Sequence, residues 1–174
     1  MSNPSGQPSV HLRGVRDADK ALLEQWRHDA EARQPFDWFG YPAPHRGDVA
    51  LPAGGELLVV ADDGEPAGAV SWHPVLYGPP PESVAWNIGI ALLPAYRGKG
   101  IGSAAQRQLA DYLFQHTRAN RLEASTDVEN VAEQRALEKA GFRREGVVRG
   151  AQWRNGAWHD LVVYARLRED PTPE

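Results

Sequence analysis

The chain has 174 residues, 41% of them hydrophobic and 24% charged, the length and balance of one compact domain with its own core. A net charge of −4 argues against a general nucleic-acid binder while leaving room for a local basic site. The absence of cysteine excludes disulfides, thiolate metal sites and a cysteine nucleophile, and no apolar run is long enough to span a membrane.

Residues 1–9 are polar, with two prolines and a glycine. They lack the charged and apolar regions of a signal peptide, which predicts a cytoplasmic protein behind a loose N-terminal tail. Residues 169–174 read as a second tail, so a single domain is expected over residues 10–168. Residues 10–15 form the first expected strand. Asp17 is placed to cap a helix running through Arg27, with Leu22, Leu23 and Trp26 on one face. A second helical piece is expected over residues 29–38. Residues 35–45 set four aromatic rings among three prolines and cannot be one regular helix.

A short strand over residues 56–61, the turn signal Asp62-Asp63-Gly64-Glu65 and a returning strand over residues 66–77 read as a hairpin. The next strand, residues 83–93, stops at Pro94. Arg97-Gly98-Lys99-Gly100-Ile101-Gly102 follows, and Ile101, Ala104, Ala105, Leu109, Tyr112 and Leu113 then recur at helical spacing to near Arg118. Glycine lets backbone approach a ligand closely and adopt positive φ, and a helix start offers unpaired N–H groups with a partial positive charge. With Arg97 and Lys99 added, the stretch reads as a phosphate or pyrophosphate cradle. An ordinary strand-to-helix turn with solvated basic residues accounts for the same glycines. A Walker-type loop is excluded, because Lys99 is followed by Gly100 and no Gly-Lys-Ser/Thr exists.

Residues 122–126 form a strand and Asn130 opens a helix through Ala140, stopped by Gly141. Residues 142–153 form a strand bulged near Gly150, Asn155-Gly156 a tight turn, and residues 158–167 the last strand. The order β, α, α, β, β, β, α, β, α, β, β predicts an α/β (α+β mixed) architecture, a mixed sheet with helices on both faces.

Arg97-Gly98-Lys99-Gly100-Ile101-Gly102, placed between a strand and a helix, resembles the acyl-CoA pyrophosphate loop of the GNAT superfamily of N-acetyltransferases. The stretch Asn130 to Phe142, ending Glu138-Lys139-Ala140-Gly141-Phe142, is similar to that family's asparagine-started helix. Arg149, Asn155-Gly156, Trp158-His159-Asp160 and Tyr164, with Leu12-Arg13 and residues 17–27, resemble the branch containing the Rim-type ribosomal-protein N-terminal acetyltransferases. The resemblance spans residues 10–168. It implies a GNAT fold, with a central, mostly antiparallel sheet of six to seven strands splayed at the fourth, and acetyl-CoA as co-substrate with no metal.

By the same resemblance, pantetheine would lie between residues 88–92 and residues 122–126, paired with backbone of Ile90, Ala91 and Leu92. An N–H near Ile90 would polarise the thioester carbonyl, an oxyanion-type role. Arg97, Gly98, Lys99, Gly100, Ile101, Gly102 and Ser103 would bind the pyrophosphate, with Ser125, Asn130 and Arg135 as further cofactor contacts. Asn130 reads equally well as a plain N-cap.

The catalytic pattern departs from the family. Its late-helix tyrosine falls at Leu137, the branch's serine falls at Glu133, and its central-strand glutamate falls at Asn87. An asparagine is no base but orients water or acceptor. His73 is then the leading titratable candidate, also readable as an ordinary exposed histidine; Glu82, Asp37 and His45 are weaker candidates. His159 and Asp160 read as structural, Asp160 with more support. With no cysteine, direct transfer in a ternary complex is expected. Phe36, Asp37, Trp38, Tyr41, Glu82 and Trp86 are the acceptor-site candidates: either aromatic walls with carboxylates that draw a cationic amine, or rings that simply close the core.

The expected acceptor is a small-molecule primary amine such as an amino sugar, an antibiotic or a polyamine. The alternatives are a protein N-terminus and a non-catalytic CoA-binding module. A homodimer through late strands is also implied, with Trp153 and Trp158 in that interface or in the core.

Overall fold

The computed structural model describes residues 9–28, 53–77 and 83–171. Seven strands make one sheet: β1 (Val10–Gly14), β2 (Gly55–Ala61), β3 (Pro66–Leu76), β4 (Val84–Leu92), β5 (Arg121–Asp127), β6 (Arg143–Arg154) and β7 (Ala157–Leu167). Their order is β1-β2-β3-β4-β5-β7-β6. Every junction is antiparallel except β4 with β5, which is parallel. Among the described residues the α-helices are α1 (Lys20–His28), α2 (Ile101–His116) and α3 (Val131–Lys139). The mixed, mostly antiparallel sheet expected above is therefore present with seven strands. The expected helix at residues 29–38, the aromatic stretch with Phe36, Asp37, Trp38 and Tyr41, and His45 and Glu82 lie outside the described residues.

Alternation along the strands divides the side chains between two cores. Val59, Val70, Ile88, Leu122 and Tyr164 point to the face covered by Ile101, Ala105, Leu109 and Leu113 of α2 and Leu137 of α3. Leu58, Val60 and Ala69, one step out of phase, meet Leu23 of α1 on the other face. Each fully buried leucine, such as Leu109, contributes about 1.5–3 kcal/mol by leaving water.

One local feature differs from the sequence reading for an identifiable reason. The segment from Asp17 to Asp19 is a 3-10 turn, and α1 begins after it. Asp19 rather than Asp17 closes the turn. Its carboxylate accepts from the Arg16 N–H at 2.7 Å and from both Arg13 guanidinium nitrogens at 2.6 and 2.9 Å. The Arg13 hydrogen bonds, followed by the Arg16 N–H, hold the Asp19 carboxyl well below the usual carboxylate range. Asp17 stays at the surface and pairs with Lys20.

In β6, the register against β7 shifts between Val148 and Gln152. Gly150 adopts φ +55° there, and its N–H donates to Asp160 Oδ1 at 2.7 Å. The expected bulge thus has a side chain that pins it. Trp153 and Trp158 meet edge to face at 5.3 Å beside the Asn155-Gly156 turn. At 44% and 66% exposure, neither belongs to the core.

Candidate active site

β4 and β5 touch at only two registered positions, Trp86 with Leu122 and Asn87 with Glu123. β5 and β7, by contrast, stay paired over all seven positions of β5. Beyond Asn87 and Glu123 the parallel strands separate, leaving a fork flanked by Ile88, Gly89, Ile90, Ala91 and Leu92 on one side and by Ala124, Ser125, Thr126 and Asp127 on the other. A parallel pair that opens leaves backbone N–H and C=O groups without their ladder partners, and such groups accept an extended ligand as a substitute strand.

The C-terminal end of β4 leads into the glycine loop. A 3-10 turn runs from Pro94 to Tyr96. Gly98 and Gly100 both adopt left-handed backbone, φ +70° and +80°, which L side chains resist by about 1–2 kcal/mol. Gly100 is the N-cap of α2 and provides no side-chain cap. The helix's first backbone bond is Ala104 N–H to Gly100 O at 3.2 Å, and among the described residues no backbone acceptor is bonded to the N–H groups from Gly98 to Ser103. Open donors at the positive end of a helix dipole suit a phosphate-type anion.

The two basic residues behave differently. Arg97 folds back, its Nε donating to Leu92 O at 2.9 Å, so it braces the strand end. The Lys99 ammonium sits 5.7 Å from the Tyr96 ring centroid, and the Tyr96 hydroxyl donates to Asp63 Oδ2 at 3.2 Å. The loop is thereby tied to the turn between β2 and β3.

Across the fork's closed end runs a polar row. His73 of β3 is the register partner of Asn87, and Asn87 is the partner of Glu123. The two catalytic candidates read from sequence therefore stand side by side, on the face opposite α2. Glu123 was not among the candidates. It is 7% exposed and accepts from the Tyr77 hydroxyl at 2.6 Å and from Arg121 Nε at 3.3 Å. Arg121 also grips Glu145 through two bonds of 2.8 and 2.5 Å. The hydrogen bond to Glu123 pushes the Tyr77 phenol up, helped by burial. The Arg121 bonds pull the Glu145 carboxyl down against its partial burial.

The remaining candidates divide. Trp86 is 6% exposed and lies in the core under α2, so it does not share a face with Asn87 and His73 and its ring is packing. Leu137, the family's tyrosine position, is fully buried and offers no proton donor. Asn130 caps α3: its Oδ1 accepts from Glu133 N–H at 3.3 Å, and its Nδ2 donates to Thr126 Oγ1 at 3.0 Å. Ser125 and Arg135 are exposed, and Ser103 is half-buried on the first turn of α2.

The wall behind Asn130 is a buried charged cluster. Asp127 meets Arg154 and His159, with His159 Nδ1 2.8 Å from Asp127 Oδ2, and accepts from Glu129 N–H at 2.7 Å. Burial pushes the Asp127 carboxyl up, but the Glu129 N–H, Arg154 and His159 outweigh it, and the net shift is downward. Among the described residues, no group of three or more His, Asp or Glu is arranged to hold a metal, and no helix is long and apolar enough to cross a membrane.

A forked sheet with a glycine-capped anion cradle at the mouth of the fork is the architecture of an acyl-CoA transferase fold. Residues 9–143 match the family model described as acetyltransferase (GNAT) domain, and the chain belongs to the GNAT acetyltransferase family. It is similar to YjcK of Bacillus subtilis strain 168, described as a probable N-acetyltransferase, with 36% identity over 113 residues. That match covers 65% of this chain and 61% of YjcK, so the chain spans less than two thirds of that relative's length.

Among solved structures it is similar to spermidine N-acetyltransferase from Vibrio cholerae, in complex with CoA and spermine (TM-score 0.73, 17% identity, 92% of this chain and 96% of that one). It is also similar to RimL, a ribosomal L7/L12 alpha-N-protein acetyltransferase in complex with coenzyme A (TM-score 0.69, 20% identity, 91% and 94%). At those identities the likeness is one of fold.

Proposed function

We propose that the chain transfers the acetyl group of acetyl-CoA directly to the primary amine of a small, cationic acceptor. The observation that carries this reading is the fork. Its open end runs into the unpaired N–H groups of Gly98 to Ser103, and its closed end carries His73, Asn87 and Glu123 in one row. Acetyl-CoA supplies an activated acetyl thioester.

The chain's own residues do the rest. N–H groups of the loop and the first turn of α2 hold the pyrophosphate, with Lys99 adding charge. Backbone of Ile90, Ala91 and Leu92 pairs with pantetheine, and an N–H near Ile90 polarises the carbonyl under attack. Asn87 orients the incoming amine or a water, and His73 receives the amine proton on its imidazole as the C–N bond forms and the thioester C–S bond breaks, CoA leaving as its thiolate. Glu123 and Glu145 surround the single Arg121 guanidinium with two carboxylates. That local excess of negative charge draws an ammonium group toward the row.

The likeness to RimL favours a second reading, a protein N-terminus as acceptor. Titration calorimetry with acetyl-CoA, followed by thiol release on a panel of polyamines, amino sugars, amino acids and N-terminal peptides, separates the readings. Turnover on small amines is the expected outcome. Turnover on peptides alone would replace the small acceptor with a protein one. Tight binding without turnover on any amine would leave a CoA-binding module.

A further inference from the structure

Three buried side-chain nitrogens among the described residues make no hydrogen bond, and two of them, Arg107 Nε and Arg166 Nε, belong to guanidiniums that donate through their other nitrogens. Gln106, on the second turn of α2, is 1% exposed, and its side-chain Nε2 makes no hydrogen bond. Buried amide nitrogens are nearly always satisfied, so an orphan marks a missing acceptor.

Its position on α2 says where that acceptor lies. One flank of the helix faces β1, because Gln108 Nε2 donates to Val10 O at 2.6 Å. The opposite flank faces α3, because Arg107 Nη2 donates to Lys139 O at 2.8 Å. Leu109 and Leu113, between the two flanks, face the sheet. At 100° per residue, Gln106 falls between the sheet-facing stripe and the α3 flank, on the β5 side of the helix. It also lies one turn beyond Gly102 on the same side. A Cβ at Gly102 would come within 3.6 Å of Leu92 Cδ1 and 4.0 Å of Ile90 Cδ1, which puts that side against the diverging end of β4. The nearest β5 position on this face past the last registered pair is Ala124, a small residue that fills little of the space. Gln106 is thus aimed at the fork, one turn inside the anion cradle.

We propose that Gln106 is a ligand-binding residue whose Nε2 donates to an amide carbonyl of the pantetheine arm in the fork. The inference rests on the acetyl-CoA reading above. The pantetheine arm carries two amides, and drawn out of water into the fork they require donors. A side-chain amide matches such a carbonyl in charge and geometry. The same residue is a liability in the empty fold and an asset in the filled one.

The test compares Gln106→Leu and the unbranched near-isostere Gln106→Met with the unaltered chain. The readouts are calorimetric affinity for CoA, affinity for adenosine 3′,5′-bisphosphate (which lacks the pantetheine arm), and Tm without ligand. Expected are a loss of CoA affinity of about tenfold or more, unchanged affinity for the bisphosphate, and a ligand-free Tm equal to or above that of the unaltered chain. Equal CoA affinity in both variants would overturn the assignment. So would a parallel loss for both ligands, which would place the effect in the helix start rather than the fork. If the unaltered chain binds bisphosphate and CoA equally well, the pantetheine arm contributes nothing and the Gln106 assignment falls while the anion cradle stands. If it binds neither, the acetyl-CoA reading itself falls, and this inference with it.

Discussion

The two walls of the fork treat their polar groups in opposite ways. On the α2 side, backbone donors from Gly98 to Ser103 and the Gln106 amide have no acceptor among the described residues. The cap is a left-handed glycine with no side chain to fold over them. On the β5 side, Asp127 satisfies the Glu129 N–H, Arg154 and His159 together, and Asn130 uses both ends of its amide on Thr126 and Glu133. Leaving donors open is costly in an isolated fold. The difference indicates a division of labour, with one wall open for a ligand and the other locked so that the fork keeps its width.

The largest effect is expected where the locked wall is unlocked. Asp127→Asn removes the buried carboxylate that balances Arg154, and breaking such a pair costs about 3–5 kcal/mol, read as a lower midpoint in urea unfolding. The pH dependence carries the same signature. The Asp127 carboxyl is depressed in the folded state. Its contribution is therefore fully present above the unfolded value of about 4 and is lost as pH falls through the lower folded value. The stability gap between the unaltered chain and Asp127→Asn should close as the solution is acidified below about pH 4. A gap that stays constant through the acid limb would take Asp127 out of the lock.

His73→Gln comes next. It should lower the rate at saturating acetyl-CoA by about a hundredfold, the lower end for a general base, with little change in Tm because the side chain is exposed. Unchanged turnover across the pH range removes His73 from the reaction. Gly100→Ala places a Cβ on a residue at φ +80° and should cost about 1–2 kcal/mol of stability. Its CoA affinity should fall by more than that strain alone explains, since the N–H groups it orients are the open ones. Equal losses in stability and affinity would make Gly100 a turn residue only.

Much of this contrast was legible in the residues, and the illegible part has a common cause. Glycines at Gly98, Gly100 and Gly102 after a strand, and apolar spacing from Ile101 to Leu113, announce the cradle through local chemistry. The bulge at Gly150 and the Asn155-Gly156 turn are local too. The row at the closed end depends on register between strands far apart in the chain. Glu123 and its partner Tyr77 are 46 positions apart, and no spacing rule places Glu123 beside Asn87. Whether Trp86 lines the acceptor site or the core could not be read locally, because β4 is a nearly unbroken apolar run and hides which residues point to α2. Asp17 and Asp19 both have cap chemistry, and the guanidinium that chose between them, Arg13, sits on β1.

Asn130 is where the two walls meet, and the smallest predicted effect sharpens that meeting point. Its side chain already closes the start of α3, so Asn130→Ala should cost about 1 kcal/mol, the usual worth of an N-cap. A cap alone is replaceable. In Asn130→Ser the hydroxyl can still accept from the Glu133 N–H, and unfolding measurements should recover most of the lost stability. Acetyl-CoA affinity then tells the two roles apart. If Asn130 only caps, the serine variant binds as the unaltered chain does. If the amide also reaches a ligand in the fork, the serine variant is stable but binds more weakly. Asn130 would then belong to both walls, held by one and serving the other.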